Sequence, residues 1–341
     1  MSIERGRQAL RLQAPAEIPH TQYLSNVSYM SHVTGLPEDH PNLGLEACRR
    51  LDYDLIWTTD GPDLKGRLTD LGVHYWGDHR PERDTRHCPF ATAEEVLAFN
   101  AVAEYGLPDP VEQTRRYNES YHRVQAGDWS FAVYPGGIYR TIVSFLIAAF
   151  GWERWLEAAG ADPPRFEEVV ESFFQVSRAY YEAWARTDIE AFICHDDMVW
   201  AQGAFMHPKW YRRNVFPHYR ELWRPLRERG IKVLFCSDGN FTEFVDDLAE
   251  AGADGFIFEP ITDLNYVVKH YGQTHVIVGN ADCRILMFGT DDDIRAEVRR
   301  CLDLGRDCPG YFFAVGNHLP DNIPVERVAL CLDTYFALRG R

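Results

Sequence analysis

The feature that most constrains this chain is a repeated switch from a short apolar run to a polar tail. After residue 129, "WSFAV" (129–133) leads into "YPGG", "AFIC" (191–194) into "HDDM" and "KVLF" (232–235) into "CSDGN". Then "GFIF" (255–258) leads into "EP", "HVIV" (275–278) into "GNADC" and "YFFAV" (311–315) into "GNH". Continuous apolar runs of this length suit strands buried on both faces, as in a parallel sheet. The segments between them are longer and amphipathic, so the unit is strand then helix. Helices are predicted over about 138–160, 165–186, 208–230, 242–252 and 291–305. The 208–230 segment has Pro208 near its start and Gly230 past its end, and the 291–305 segment carries its acids in the first turn, matching the helix dipole.

Before residue 129 the periodicity is weaker. "YDLIW" (53–57) predicts a strand that ends at "TTDG", and "EEVLAFNAVAEYG" (94–106) predicts a helix. One or two early strands added to the later ones approach the eight of a (β/α)8 barrel. We therefore expect a TIM barrel with additional N-terminal helices, as one domain over 1–341. Residues 1–128 would supply the N-terminal helices and first strands, and 129–341 the clear βα repeats. A doubly wound sheet is the alternative, but no GxGxxG follows an early strand.

Composition narrows the partners. With 35 basic and 51 acidic residues the net charge is −16, which disfavours nonspecific contact with nucleic acid or an anionic membrane. The eight cysteines show neither a disulfide-framework spacing nor a CxxC pair. No export signal is evident in "MSIERGRQALRLQAP", and the apolar stretch near 141–152 is short of the ~20 residues a membrane helix needs. A cytoplasmic protein with reduced thiols is the expectation.

In a barrel the carboxyl ends of the strands converge on one face, where the active site lies. His195, Asp196, Asp197, Cys236, Asp238, Glu259, Asn280, Asp282, Cys283, Asn317 and His318 would all point at that bowl. Each could instead be a helix cap taken singly, but five successive strand ends carrying ligand-type or acid/base residues are harder to explain that way. Adjacent strand residues face opposite ways, so at most two of His195, Asp196 and Asp197 can reach the bowl. His195 suits a general base or a contact that orients a ligand. Tyr134, Met206, His207 and Tyr211 follow strands and are candidates to line the pocket, with aromatic core as the alternative.

With these residues in place the chain resembles the uroporphyrinogen decarboxylase superfamily, which includes corrinoid-dependent methyltransferases of the methylcobalamin:coenzyme M type. The resemblance rests on "HDDMVWAQGAFMHPKWYRRNVFPHY", "FCSDGN", "GADGFIFEP", "YGQTHVIVGNADCRILMFGT" and "GNHLPDNIPVERV". It covers the last 150 or so residues well, and "ERGRQALRLQAPAEIPH" resembles the family's usual start. It implies that Asp197 is a pocket-lining aspartate and that Asn280, Asp282 and Cys283 lie in a segment along the site. The decarboxylase branch uses an arginine-rich loop for a substrate with eight carboxylates. Arg5, Arg7 and Arg11 do not form that loop here, although Asp60 in "TTDGP" could stand in for the branch's pyrrole-binding aspartate.

The methyltransferase branch uses zinc held by two residues one apart after one strand, with further ligands from later strands. The matching positions carry Cys236 and Asp238, then Glu259, then His318 beside Asn317, with Cys283 as an alternative ligand. This set is oxygen-rich, and a zinc ion so held would be more Lewis acidic than one in a thiolate-rich site. The resemblance thus implies a zinc-dependent methyltransferase moving a methyl group between a small methylated compound and a corrinoid carried by a partner protein, with His195 or Asp197 managing the proton. No DxHxxG stretch for a cobalt ligand is present in the chain itself. A decarboxylase or lyase working without metal, and a non-catalytic ligand-binding barrel, are the alternatives. The expected partners are a small-molecule substrate, a corrinoid protein and, as an option, a second copy of the chain.

Overall fold

The computed structural model describes residues 2–59, 61–62, 64–69 and 88–341. Its largest sheet has six parallel strands in sequential order: β2 (Gly136–Tyr139), β3 (Ala191–His195), β4 (Lys232–Ser237), β5 (Gly255–Phe258), β6 (Val276–Val278) and β7 (Tyr311–Phe312). A second parallel pair joins β1 (Tyr23–Leu24) to β8 (His318–Leu319).

Hydrogen bonds outside these named strands close the sheet on itself. Phe313 donates to Pro19 O and Thr21 donates to Phe313 O, so residues 19–21 run alongside the chain that continues β7. Asp54 donates to His20 O, Val133 donates to Asp54 O, and Ile56 donates to Val133 O. The ring therefore runs through 18–21, 54–56, 133–139 and then β3 to β7, which makes eight staves. This is a (β/α)8 barrel, with the N-terminal stave hydrogen-bonded to the last one.

The interior is filled by inward-facing residues of alternating parity: Leu55, Val133, Ala191, Ile193, Leu234, Cys236, Ile257, Val276, Val278, Phe312 and Ala314. Ala9 and Leu10 of the helix Ser2–Leu10 join this cluster and plug one end. A larger aromatic-rich cluster fills the space between barrel and helices. Among the described residues no helix is long and apolar enough to cross a membrane.

Two elements differ from the sequence expectation for local reasons, one a helix and one a strand. The segment 208–230 divides into Pro208–Asn214 and Phe216–Glu228, with Pro217 starting the second. The first run after 129 also differs: residues 129–132 turn, Val133 bridges Leu55, and the strand itself is Gly136–Tyr139. Glycine is needed there because a Cβ at Gly136 would sit 2.6 Å from Ile189 Cδ1 and 2.8 Å from the Trp184 ring.

The closure point contains a buried histidine. His20 packs between the rings of Tyr53 and Tyr335, both with centroids 4.9 Å away, and its Nε2 donates to Leu51 O at 2.7 Å. Burial pushes its pKa down to about 4, with a lesser contribution from Arg5. A histidine so depressed is neutral in the fold, so its share of stability is present above pH 6.5 and is lost as pH falls from 6.5 to 4. That share is about 3 kcal/mol. Nearby Asp54 is pushed up to about 7 by burial and acts in the opposite sense, but it is common to wild type and a His20→Phe variant. The stability of wild type relative to His20→Phe should therefore fall by about 3 kcal/mol between pH 7 and pH 4 in urea titrations. A pH-independent difference would show that His20 is not held neutral by the fold.

Candidate active site

At the carboxyl ends of the staves lies a pocket of about 640 Å³. Tyr23, Trp57, Thr58, Thr59, Tyr139 and Arg140 line one part of it. His195, Val199, Asp238, Gly239, Glu259, Asn317 and His318 line the rest. Strand parity explains much of this set. On β3 residues 191 and 193 face the interior, so His195 is next in the same column. On β4 and the chain beyond it the column is 234, 236 and 238, and on β5 it is 257 and 259. Asp238 and Glu259 therefore sit just above the apolar filling.

His195 Nε2 and Asp197 Oδ1 are 3.1 Å apart. The same Asp197 oxygen accepts from the Asp238 amide at 2.9 Å, and its Oδ2 accepts from the Tyr139 hydroxyl at 3.1 Å. Asn317 Nδ2 donates to Glu259 Oε1 at 2.9 Å and to Asp238 Oδ1 at 3.3 Å. The Gly239 amide donates to Glu259 Oε2 at 2.7 Å. The Asn317 amide oxygen accepts from both the backbone N–H and Nδ1–H of His318. One hydrogen-bonded network thus joins the ends of β3, β4 and β5 to the loop after β7.

The charges in this network work against burial. Burial alone would depress His195, but the Asp197 carboxylate beside it, assisted by Asp238 and Asp196, raises it instead. Burial likewise opposes the Asp197 charge, and His195 with the donors around it holds that carboxyl below its ordinary value. Asp238 is pushed up to about 7 by burial and by the neighbouring Asp197 charge. An imidazolium–carboxylate pair thus stands beside a carboxyl that changes charge near neutrality.

Asp196, between the two paired residues, points away and is fully buried. Its Oδ2 accepts from the amides of Ile142 and Val143, and its Oδ1 from the amide and hydroxyl of Ser144. The Tyr219 hydroxyl donates to Oδ2 at 2.6 Å. It caps from a distance the helix Val143–Ala161, whose own preceding residue provides no side-chain cap. That places the turn carrying Tyr139 and Arg140 at the pocket. Arg140 adopts φ +72°, a left-handed backbone that costs a non-glycine residue about 1–2 kcal/mol.

Among the described residues, His195, Asp197 and Asp238 form the group whose ligand-type atoms all lie within 4.8 Å of one another. Glu259 and His318 line the same pocket outside that trio. Cys236 instead belongs to the barrel's interior filling, level in register with His195 and Ile257. Burial and the carboxylates Asp238, Asp197 and Glu259 hold its thiol well above the usual value. Cys283 and Asp282 start the short helix Cys283–Phe288, where Asp282 caps the Arg284 amide and pairs with the Arg284 side chain. Asn280 is buried and donates to the carbonyls of Glu259 and Thr262.

The remaining candidates do not line the pocket. Tyr134 stands at a separate small cavity with Tyr117 and Trp184. His207 caps the helix Pro208–Asn214, Met206 packs against the outer aromatic core, and Tyr211 is buried with its hydroxyl on Met198 O. Asp60 lies outside the described residues. Sequence reasoning missed Tyr23, Trp57, Thr58, Thr59, Tyr139 and Arg140. The signal for the last two was "GGIYR" following "VYP": a glycine pair masks strand propensity, and the strand end falls six residues later than the apolar run suggests.

Imidazole and carboxylates are ordinary ligands for zinc, so the trio's donor set fits that ion. The 3.1 Å His195–Asp197 contact means an ion there would take the place of their shared proton.

A structure of a methyltransferase from Methanosarcina mazei superposes with a TM-score of 0.68, at 15% sequence identity, over 98% of each chain. Uroporphyrinogen decarboxylase of Syntrophotalea carbinolica is 27% identical over 201 residues, which is 58% of this chain and 57% of that protein. The Salinispora tropica enzyme is 30% identical over 164 residues, 48% of this chain and 43% of its own length. The matched stretch thus spans about half the length of these curated relatives. The family model for uroporphyrinogen decarboxylase matches residues 140–336, which include β3 to β8 and the residues of the trio. On that match, covering more than half of its length, the chain belongs to the uroporphyrinogen decarboxylase family.

Proposed function

We propose that this protein transfers a methyl group between a small methylated compound and a corrinoid held by a partner protein, using zinc bound by His195, Asp197 and Asp238. The observation that carries the reading is the convergence of these side chains within 4.8 Å of one another, with His195 and Asp238 lining the pocket and Asp197 directly behind them. Zinc in that position would polarise the heteroatom that gains or loses the methyl group. The chain's own residues do the rest: Tyr139 and the Asp238 amide fix Asp197, and Asn317 holds Asp238 against Glu259. Where His195 does not itself ligate the ion, its imidazole is placed to accept or return the proton of the methylated group.

The pocket volume is within the range of small-molecule sites, which supports a compact substrate inside and a corrinoid delivered at its mouth. Porphyrinogen decarboxylation is less well supported. Among the described residues lining the pocket, the two carboxyl groups of Asp238 and Glu259 face one arginine, an unfavourable field for a substrate with eight carboxylates.

A second reading is proton transfer without metal, as in decarboxylation of a small acid. It is favoured by the His195–Asp197 pair, in which each group already has a hydrogen-bonding partner for its charged form. Elemental analysis of untagged protein separates the two. We expect about one zinc per chain, lost in Asp238→Ala and retained in Cys236→Ala. Protein that stays free of zinc after zinc is supplied would reject the first reading in favour of the second.

A further inference from the structure

Arg140 is unused by either reading. Among the described residues it is the one lysine or arginine that lines the pocket, and it forms no ion pair there with a carboxylate. Its guanidinium carbon lies 5.7 Å from the centroid of the Tyr139 ring, which itself is 4.4 Å from the His195 ring. Its backbone amide donates to His195 O, so Arg140 and the network are fixed to the same strand pair. The backbone is held in a left-handed conformation that a glycine would adopt without strain. A cation on a backbone pinned to β3 thus lines the cavity. In the same pocket, Tyr23 packs against both Trp57 and His318, with centroids 6.1 and 6.0 Å apart, and forms an aromatic wall.

From this arrangement we infer that the substrate carries a single anionic group, a carboxylate, which Arg140 binds while the apolar body lies along the aromatic wall and the reacting end meets His195, Asp197 and Asp238. Arginine presents a planar fork of donors that matches a carboxylate, and a partly enclosed pocket strengthens that pairing. The carboxylates of the network repel a second anion at the other end, so the site selects a monoanion with a neutral reacting end. The inference deepens the proposed function by naming the substrate class, and it rests on that reading only in sharing the pocket.

The test is a binding measurement with benzoate and hexanoate, each against its neutral amide, followed by calorimetry and by tryptophan fluorescence. Wild type should bind at least one acid more tightly than its amide by about 10- to 100-fold. Arg140→Gly should abolish that preference, and Arg140→Lys should keep part of it. Arg140→Gly should also melt at a higher temperature than wild type, which separates loss of binding from loss of fold. Equal binding of acid and amide would overturn the inference. So would a preference that survives in Arg140→Gly, or failure of both acids to bind wild type more tightly than about 1 mM. Zinc content plays no part in the readout, so failure here leaves the metal reading standing, and absence of zinc leaves the carboxylate result standing.

Discussion

Replacing Asp196 with alanine is expected to destabilise the protein by about 3–5 kcal/mol, enough to leave much of it unfolded. The carboxylate is fully buried and accepts from three backbone amides and two hydroxyls. Those amides belong to the entry of the helix Val143–Ala161, whose cap residue Ile142 has no side-chain acceptor to take them. Alanine would strand several buried donors at once, each costing about 1–3 kcal/mol, with partial relief from water entering the gap. Asparagine should do little better, because its amide nitrogen would face donors where an acceptor is needed. Urea unfolding of both variants checks this. A loss under about 1 kcal/mol would show that the helix entry finds other partners.

The second large effect concerns turnover. His195→Gln should lower methyl transfer by roughly 10²–10⁴-fold with little change in fold stability, because the imidazole is placed either to ligate or to carry a proton. Glutamine keeps a hydrogen bond to Asp197 but supplies neither an imidazole ligand nor a titrating group. Excess zinc divides the two roles. Partial rescue by zinc indicates a weakened metal site, whereas no rescue in a variant that still folds indicates a proton carrier. Activity within about threefold of wild type would remove His195 from the reaction altogether.

Much of the barrel was legible in the sequence, and the missing parts share a cause. Strands β3 to β6 are short, continuous apolar runs buried on both faces, so composition alone outlines them. The stave at 18–21 reads "IPHT", with a proline and a histidine, and it pairs only with residues distant in the chain. Its strand character comes from tertiary context. The stave at 133–139 is masked by Pro135 and two glycines; a Cβ at Gly136 would meet Trp184 and Ile189, and one at Gly137 would crowd Ile193 O and Thr58 O.

In the site, strand-end position was the useful signal. It led to His195, Asp197, Asp238, Glu259, Asn317 and His318, all of which lie in or directly bound to the pocket network. Height along the barrel axis was not legible. Cys236 has the same parity as Asp238 yet sits one layer lower, among apolar side chains. Asn280 and Asp282 follow a strand but turn to hold backbone and helix ends.

The closure of the ring has a bearing on how the chain is made. Residues 19–21 reach their hydrogen-bonding partner only at Phe313, and Ile18 donates to Arg339 O near the other end of the sequence. Until Phe313 has been synthesised, the first stave has no neighbour on one side, and the apolar filling around Leu234 and Ile257 is covered from only part of the circle. Late completion is a property of long-range topology and slows folding. A nascent chain of this kind cannot close its ring before Phe313 has emerged, and the candidate bowl, which draws Asn317 and His318 from the segment just beyond, is completed only then.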